Sequence, residues 1–166
     1  YLSNSCLYKE LFLTNNIRGY LWNKIFLRSI ILNNNIYLNE QLTIREDQDF
    51  IFRYLKYTEN GFFVDNCAYN YIRHFGSATR PDINSEVYMQ KRVDMYLEIL
   101  KALNSMQKNL SDAESQINLM LLAEKENAIK GLLLECMYEK ILPDSYNVYI
   151  EELRRNLLLF LKADGY

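Results

Sequence analysis

Three carboxylates and an amide crowd one short stretch of this chain, Glu46-Asp47-Gln48-Asp49, directly ahead of the apolar run Phe50-Ile51-Phe52. With Tyr54 and Leu55 the apolar residues recur at helical spacing, so the acids open an amphipathic helix expected over Asp47 to Tyr57. Acids collect at helix starts for a structural reason: unpaired amides and aligned peptide dipoles stabilise each negative charge there by about 0.3–1 kcal/mol. The same physics makes such a carboxylate a usable base. It stays ionised at neutral pH and can take a proton from a hydroxyl as that hydroxyl attacks. Taken alone, the four residues read as a helix start.

Their surroundings add a pattern. Upstream stand Trp22-Asn23-Lys24-Ile25-Phe26-Leu27-Arg28 and then Asn35-Ile36-Tyr37-Leu38-Asn39-Glu40. Downstream stand Tyr69-Asn70-Tyr71 and Gly76-Ser77. In this order and spacing, residues 1–80 resemble the C-terminal part of the catalytic domain in glycosyltransferase family 2, which has the GT-A fold. The nearest likenesses are bacterial enzymes that build capsule, exopolysaccharide or teichoic-acid chains.

The resemblance implies roles by position. Asp47 matches the aspartate that acts as general base toward the acceptor hydroxyl, and Glu46 its partner. Trp22 and Lys24 match positions near the acceptor and the diphosphate side of the cleft. Their plainer readings are a core anchor for Trp22 and a solvated helix residue for Lys24. Tyr69 and Tyr71 share one face of a strand and read as packing residues. Arg73 is a further substrate-binding candidate, matching the family's phosphate-contacting arginine. The family places that arginine directly after the second tyrosine, whereas here Ile72 intervenes, and a one-residue shift along a strand turns a side chain to the other face. His74, the only histidine, is a candidate metal ligand as in some relatives, or a loop residue. Asp47-Gln48-Asp49 also matches the Asp-x-Asp pattern that holds the donor's metal in this family. We reject that assignment, because the family's motif follows a buried strand and these aspartates open a helix.

The elements that must position these residues are mostly helical. Cys6 to Leu13 and Tyr20 to Leu32 read as helices, with Asn33-Asn34-Asn35 ending the second and an irregular segment over Ile36 to Ile44. After Gly61, the aromatic and β-branched residues of Phe62 to Asp65 and Cys67 to Arg73 favour two short strands. A pair of that size is not a stable sheet alone, so it must lie on helices or complete a larger sheet. Beyond Arg80-Pro81-Asp82, where proline restricts the backbone, three amphipathic stripes follow. Val93, Tyr96, Leu97, Leu100, Leu103 and Met106 form one. Ile117, Met120, Leu121, Ala128, Leu132, Leu133 and Cys136 form the next, behind a capping-box pattern at Ser111-Asp112-Ala113-Glu114. Tyr146, Tyr149, Ile150, Leu153, Leu157, Phe160 and Leu161 form the third. The expected fold is therefore mainly α with a minor two-strand β element: an acceptor-side catalytic portion over 1–80 and a three-helix extension over 81–166.

Composition narrows the function classes. The chain has 166 residues, 49% hydrophobic and 24% charged, with a net charge of -2. That suffices for one packed domain and argues against disorder. The balance is uneven: residues 1–80 carry nine basic and seven acidic side chains (net +2), residues 81–166 ten and fourteen (net -4). Neither half has the excess of cations that nonspecific nucleic-acid binding needs. No apolar run approaches the roughly 20 residues of a membrane span. Cys6, Cys67 and Cys136 lack any CxxC spacing, so neither a disulfide framework nor a structural metal site is expected, and a reducing compartment fits.

The chain opens at Tyr1 without an initiator methionine and reads as a piece of something longer. No alternating βαβ units and no apolar strand ending in an acidic metal motif are visible, so the nucleotide-sugar half expected of the family is not in this sequence. The resemblance implies a parent that transfers a sugar, with inversion, from a nucleotide-sugar to a polysaccharide or lipid-linked glycan acceptor, aided by Mg²⁺ or Mn²⁺. Such a parent acts in the cytoplasm or at the inner face of the membrane. The isolated chain is expected not to turn over, since leaving-group neutralisation is a term that a base worth 10²–10⁴-fold cannot replace. The alternative is a non-catalytic helical module that binds a partner or a second copy of itself through the C-terminal helices.

Overall fold

The computed structural model describes residues 1–13, 19–65, 69, 70, 72, 86–110, 115–139, 147, 151, 154 and 155. In chain order these form β1 (Leu2–Ser3), α1 (Asn4–Phe12), α2 (Arg28–Asn33), α3 (Glu46–Leu55), β2 (Asn60–Gly61), α4 (Glu86–Lys108) and α5 (Ser115–Glu139). The domain is mainly helical, with a minor two-stranded antiparallel sheet.

The helix that the acids open is the most enclosed. Seven of the ten residues of α3 are buried, including Gln48 and Asp49. One amphipathic stripe covers less than that, so α3 must be packed on more than one side, and α1 and α4 both lie against it. Aromatic edges supply much of the contact. Tyr8 and Phe12 of α1 meet Phe52 at ring-centroid distances of 5.4 and 5.9 Å, and Phe26 meets Phe50 and Tyr54 at 5.5 and 4.9 Å. Such edge-to-face pairs add about 0.5–1.5 kcal/mol each beyond area burial. Polar ends are satisfied locally: the Tyr8 hydroxyl donates to the Phe52 carbonyl at 3.3 Å, and Gln48 Nε2 donates to the Leu11 carbonyl at 3.3 Å.

Helices α4 and α5 pack along each other. The first stripe buries Val93, Leu100, Leu103 and Met106, with Tyr96 and Leu97 at its margin; the second buries Leu121, Ala128, Leu132 and Cys136. These join the α1 and α3 residues in one continuous core. Full burial of a leucine such as Leu103 or Leu132 contributes about 1.5–3 kcal/mol. Polar ties cross the pair as well. Arg92 pairs with Glu135, Gln107 Nε2 donates to Asn118 at 3.2 Å, and the buried ammonium of Lys125 donates to Gln107 Oε1 at 2.9 Å. Arg45, just before α3, reaches Glu124 of α5 at 3.1 Å.

Gly131 lets the two long helices approach. The Tyr96 ring lies directly over it, and a Cβ there would fall inside the ring's van der Waals surface. Glycine inside a helix costs roughly 0.5–1 kcal/mol relative to alanine, so its presence implies a compensating contact. Gly131→Ala is expected to destabilise the chain by about 1–2 kcal/mol, overpacking outweighing propensity. In a Tyr96→Ala background the sign reverses, and the same change stabilises by up to about 1 kcal/mol. Urea unfolding of the four-member cycle measures it. A stabilising effect in both backgrounds would contradict the close approach.

Two expected elements differ from those observed. Residues 20–27 are not helical; the helix begins only at Arg28. The reason is tertiary. The Leu27 N–H donates to the Tyr54 hydroxyl at 2.9 Å, and the Phe26 ring sits against Phe50 and Tyr54, which holds the end of the segment against α3. Leu21–Lys24 closes a turn through the Lys24 N–H to the Leu21 carbonyl at 3.1 Å. Residues 62–65 are likewise not a strand. Only Asn60 and Gly61 pair, opposite Ser3 and Leu2. β-Propensity rewards a half-buried pleated face, and Phe62, Phe63 and Val64 all stand exposed. Tyr69, Asn70 and Ile72 lie outside any strand. The sequence elements Cys67, Tyr71, Gly76, Ser77, the Arg80-Pro81 boundary and the capping box fall outside the described residues. The third stripe's residues lie outside the described ones; among their neighbours Asn147, Glu151, Arg154 and Arg155 are described, each helical, with Arg154 pairing to Glu151 at 2.8 Å.

Candidate functional site at the start of helix α3

Helix α3 starts abruptly. Arg45 occupies the left-handed region (φ 62°) and supplies no side-chain cap, while its carbonyl accepts the Asp49 N–H at 2.9 Å. The first turn carries Glu46, Asp47 and Asp49. With no capping side chain in place, charge on these acids is what complements the exposed amides.

Residues 19–24 fold over this start. Gly19 presses against the Cα and Cβ of Gln48 so closely that a Cβ would sit 2.6 Å from Gln48 Cβ. That approach carries Leu21 to the helix, where its N–H donates to Asp47 Oδ2 at 3.4 Å. Lys24 lies beside them, its Nζ donating to the Tyr20 carbonyl and to Asn23 Oδ1, both at 2.6 Å. Trp22 stacks with Tyr20 (5.3 Å, 21°) and with Tyr69 (4.8 Å, 22°). Trp22 remains 37% exposed and Tyr69 53% exposed, so Trp22 is a surface stack and not a core anchor, and Tyr69 packs on it at the surface.

Partial burial lowers the Lys24 ammonium from its ordinary 10.5 to about 8, and the negative charge of Asp47 opposes that shift. Because the folded value lies below the unfolded one, the folded chain binds fewer protons between about pH 8 and 10.5. The Lys24 contribution to stability therefore rises with pH across that window and is at its least favourable below it. Nuclear magnetic resonance of the lysine ε-carbons should show one lysine titrating near pH 8. Asp47→Asn should move that midpoint lower still. A Lys24 midpoint near 10.5 in both proteins would show that the pair is neither buried nor coupled.

Asp49 does something different. It is 0% exposed; Arg53 Nη2 pairs with Oδ2 at 2.8 Å and the Ser105 hydroxyl of α4 donates to Oδ1 at 3.0 Å. Two residues along a helix is a rotation of about 200°, so Asp47 and Asp49 face opposite sides and do not form a chelate. Among the described residues no three His, Cys, Asp or Glu side chains group to hold an ion. Sequence spacing brings out Asp49 and Arg53 as an i, i+4 pair. Ser105, 56 residues away, carries no local signal.

Of the site residues expected from sequence, the structure brings Trp22, Lys24 and Asp47 together through the 19–24 segment. Glu46 is half-buried at the same helix start, its carboxylate accepting no hydrogen bond from the described residues. Arg73 and His74 lie outside the described residues. No helix among the described residues is long and apolar enough to cross a membrane. The class these observations define is a mainly helical domain with a carboxylate, an amine and stacked aromatics at one helix start. Compared with known proteins, the chain matches no family model, no curated protein and no solved structure.

Proposed function

We propose that this chain is the acceptor-side portion of an inverting glycosyltransferase of the family 2 type, acting in the cytoplasm or at the inner face of the membrane on a growing surface polysaccharide. The observation that supports the reading is the meeting of Asp47 with the Leu21–Lys24 segment, residues more than twenty positions apart in sequence. Asp47 takes the proton of the acceptor hydroxyl while that oxygen attacks the anomeric carbon. The new C–O bond forms on one face as the bond to the donor diphosphate breaks on the other. The exposed stack at Trp22 and Tyr69 offers a flat apolar surface beside the carboxylate, suited to the C–H face of a sugar ring. A divalent ion, Mg²⁺ or Mn²⁺, would neutralise the diphosphate in the longer protein; Asp47 and Asp49 are not its ligands. The test is turnover of nucleotide-sugars by the full-length protein, wild type against Asp47→Asn.

A second reading draws on α5, where Leu134 and Met137 are 67% and 69% exposed and three residues apart on one face. That spacing fits a helical module that pairs with a partner or a second copy. Sedimentation of the 166-residue chain over a concentration series separates the two: a stoichiometric oligomer lost in Leu134→Glu supports the module.

A further inference from the structure

On the side of α3 turned away from Asp47, the loop of residues 35–42 and helix α4 border two adjoining clefts, open to solvent, of about 270 and 490 Å³, which share Asn39 and Ser105 as walls. Small-molecule sites span roughly 300–1,000 Å³. The lining is unusual for its chemistry. Asn39, Asn104, Ser105 and Asn109 supply amide and hydroxyl groups, Arg53, Lys101 and Lys108 supply cations, and no Asp or Glu lines either cleft.

The floor is already fixed. Asp49 holds Arg53 through Nε (2.9 Å) and Nη2 (2.8 Å), and Arg53 Nη2 also donates to the Tyr37 carbonyl at 2.6 Å. That leaves Arg53 Nη1, with its two N–H groups, without a partner among the described residues. Ser105 is fixed by Asp49, and Asn109 Nδ2 donates to the Ser105 carbonyl at 2.8 Å. The Asn39 amide donates to Ser105 Oγ at 3.5 Å and accepts the Gln41 N–H at 3.1 Å, so Asn39 and Asn109 have only their remaining N–H and lone pairs to offer a ligand. The half-buried Asn104 amide and the Lys108 ammonium likewise have no partner among the described residues. Arg53 is balanced by Asp49 and Lys101 by Glu98 at 3.5 Å, so among the described residues Lys108 is the lining cation without a counter-charge.

We infer that this cleft binds an anionic monosaccharide unit, its hydroxyls meeting the amides of Asn39, Asn104 and Asn109 and its charge meeting Lys108 and Arg53. An amide presents a donor and an acceptor side by side, which matches a pair of neighbouring hydroxyls. A guanidinium edge and an ammonium match the oxygens of a carboxylate or phosphate. The cleft is independent of Asp47, so it stands or falls separately from the transferase reading.

The test is a titration of the ¹⁵N-labelled 166-residue chain with glucuronate, glucose 6-phosphate, glucose and inorganic phosphate, followed by amide shifts. Saturable shifts at Asn39, Asn104, Ser105 and Asn109 are expected with glucuronate, with glucose 6-phosphate or with both, and which one responds distinguishes carboxylate from phosphate. Glucose and inorganic phosphate should each bind at least about tenfold more weakly, since each meets only half of the lining. Lys108→Glu, at an exposed position, should weaken binding about tenfold, and Asn104→Leu should abolish it by filling the cleft. An unchanged far-ultraviolet circular dichroism spectrum shows that both variants are folded. Absence of shifts, equal binding of glucose or of inorganic phosphate, or folded variants that bind like wild type would each overturn the proposal.

Discussion

Replacing Asp49 with alanine is expected to destabilise the chain by about 3 kcal/mol, the low end of the 3–5 kcal/mol seen when one partner of a buried ion pair is removed and the other stays. The low end applies because the Arg53 side chain keeps 21% exposure, so water recovers part of the guanidinium's hydration. The cost comes mainly from what is left behind: an arginine folded against α3 without its counter-charge and a Ser105 hydroxyl without its acceptor. Removing both charges together tests that origin. Asp49→Leu with Arg53→Met should recover most of the loss, since apolar replacement of a buried pair is often neutral or stabilising. Ser105→Ala alone should cost about 1 kcal/mol. Urea unfolding measures all three. A loss below about 1 kcal/mol for Asp49→Ala would mean that neither the ion pair within α3 nor the Ser105 tie to α4 contributes what its burial implies.

Two residues earlier, the same chemical group is expected to behave in the opposite way. Asp47→Asn should leave stability nearly unchanged, because a helix-start acid contributes only about 0.3–1 kcal/mol and the amide still accepts the Leu21 N–H. Its effect should fall on turnover in the full-length protein. An amide cannot take the acceptor's proton, and loss of a general base slows reaction by about 10²–10⁴-fold. Because the base acts in the transition state, kcat and kcat/KM for the acceptor should fall together while nucleotide binding holds. Asp49→Asn supplies the contrast, since its damage should appear in unfolding before it appears in kinetics.

How far the sequence could be read depended on whether a residue's neighbours were local. Helices α3, α4 and α5 were legible because their apolar residues repeat every three or four positions, and the same residues form the core: Phe50, Ile51, Leu103, Met106, Leu121 and Leu132. The segment 20–27 looked helical by the same rule. There the Leu27 amide bonds to Tyr54 and Phe26 packs on α3, so tertiary contacts override local preference. The strand expected at 62–65 failed for a related reason, since its composition suits a pleated face that Phe62 and Val64 do not have. At the candidate site, the acids of α3 were plain from their position before an apolar run. The closeness of Asp47 to Lys24 depends on Gly19 lying against Gln48, and nothing in local spacing announces that approach. The tie from Ser105 to Asp49, and the polar cleft beside it, join residues 56 positions apart and were illegible in principle.

The proposal that Asp47 is the acceptor base is tested most directly by one comparison: nucleotide-sugar turnover by the full-length protein, wild type and Asp47→Asn, with Mg²⁺ or Mn²⁺ and a panel of donors. Turnover by the wild type, reduced at least ~10²-fold in Asp47→Asn with nucleotide affinity unchanged, is the predicted result. Equal turnover in the two proteins, or none by the wild type with any donor, would contradict it; Asp47 would then be a helix-start acid and the helical interaction module the better reading of the chain.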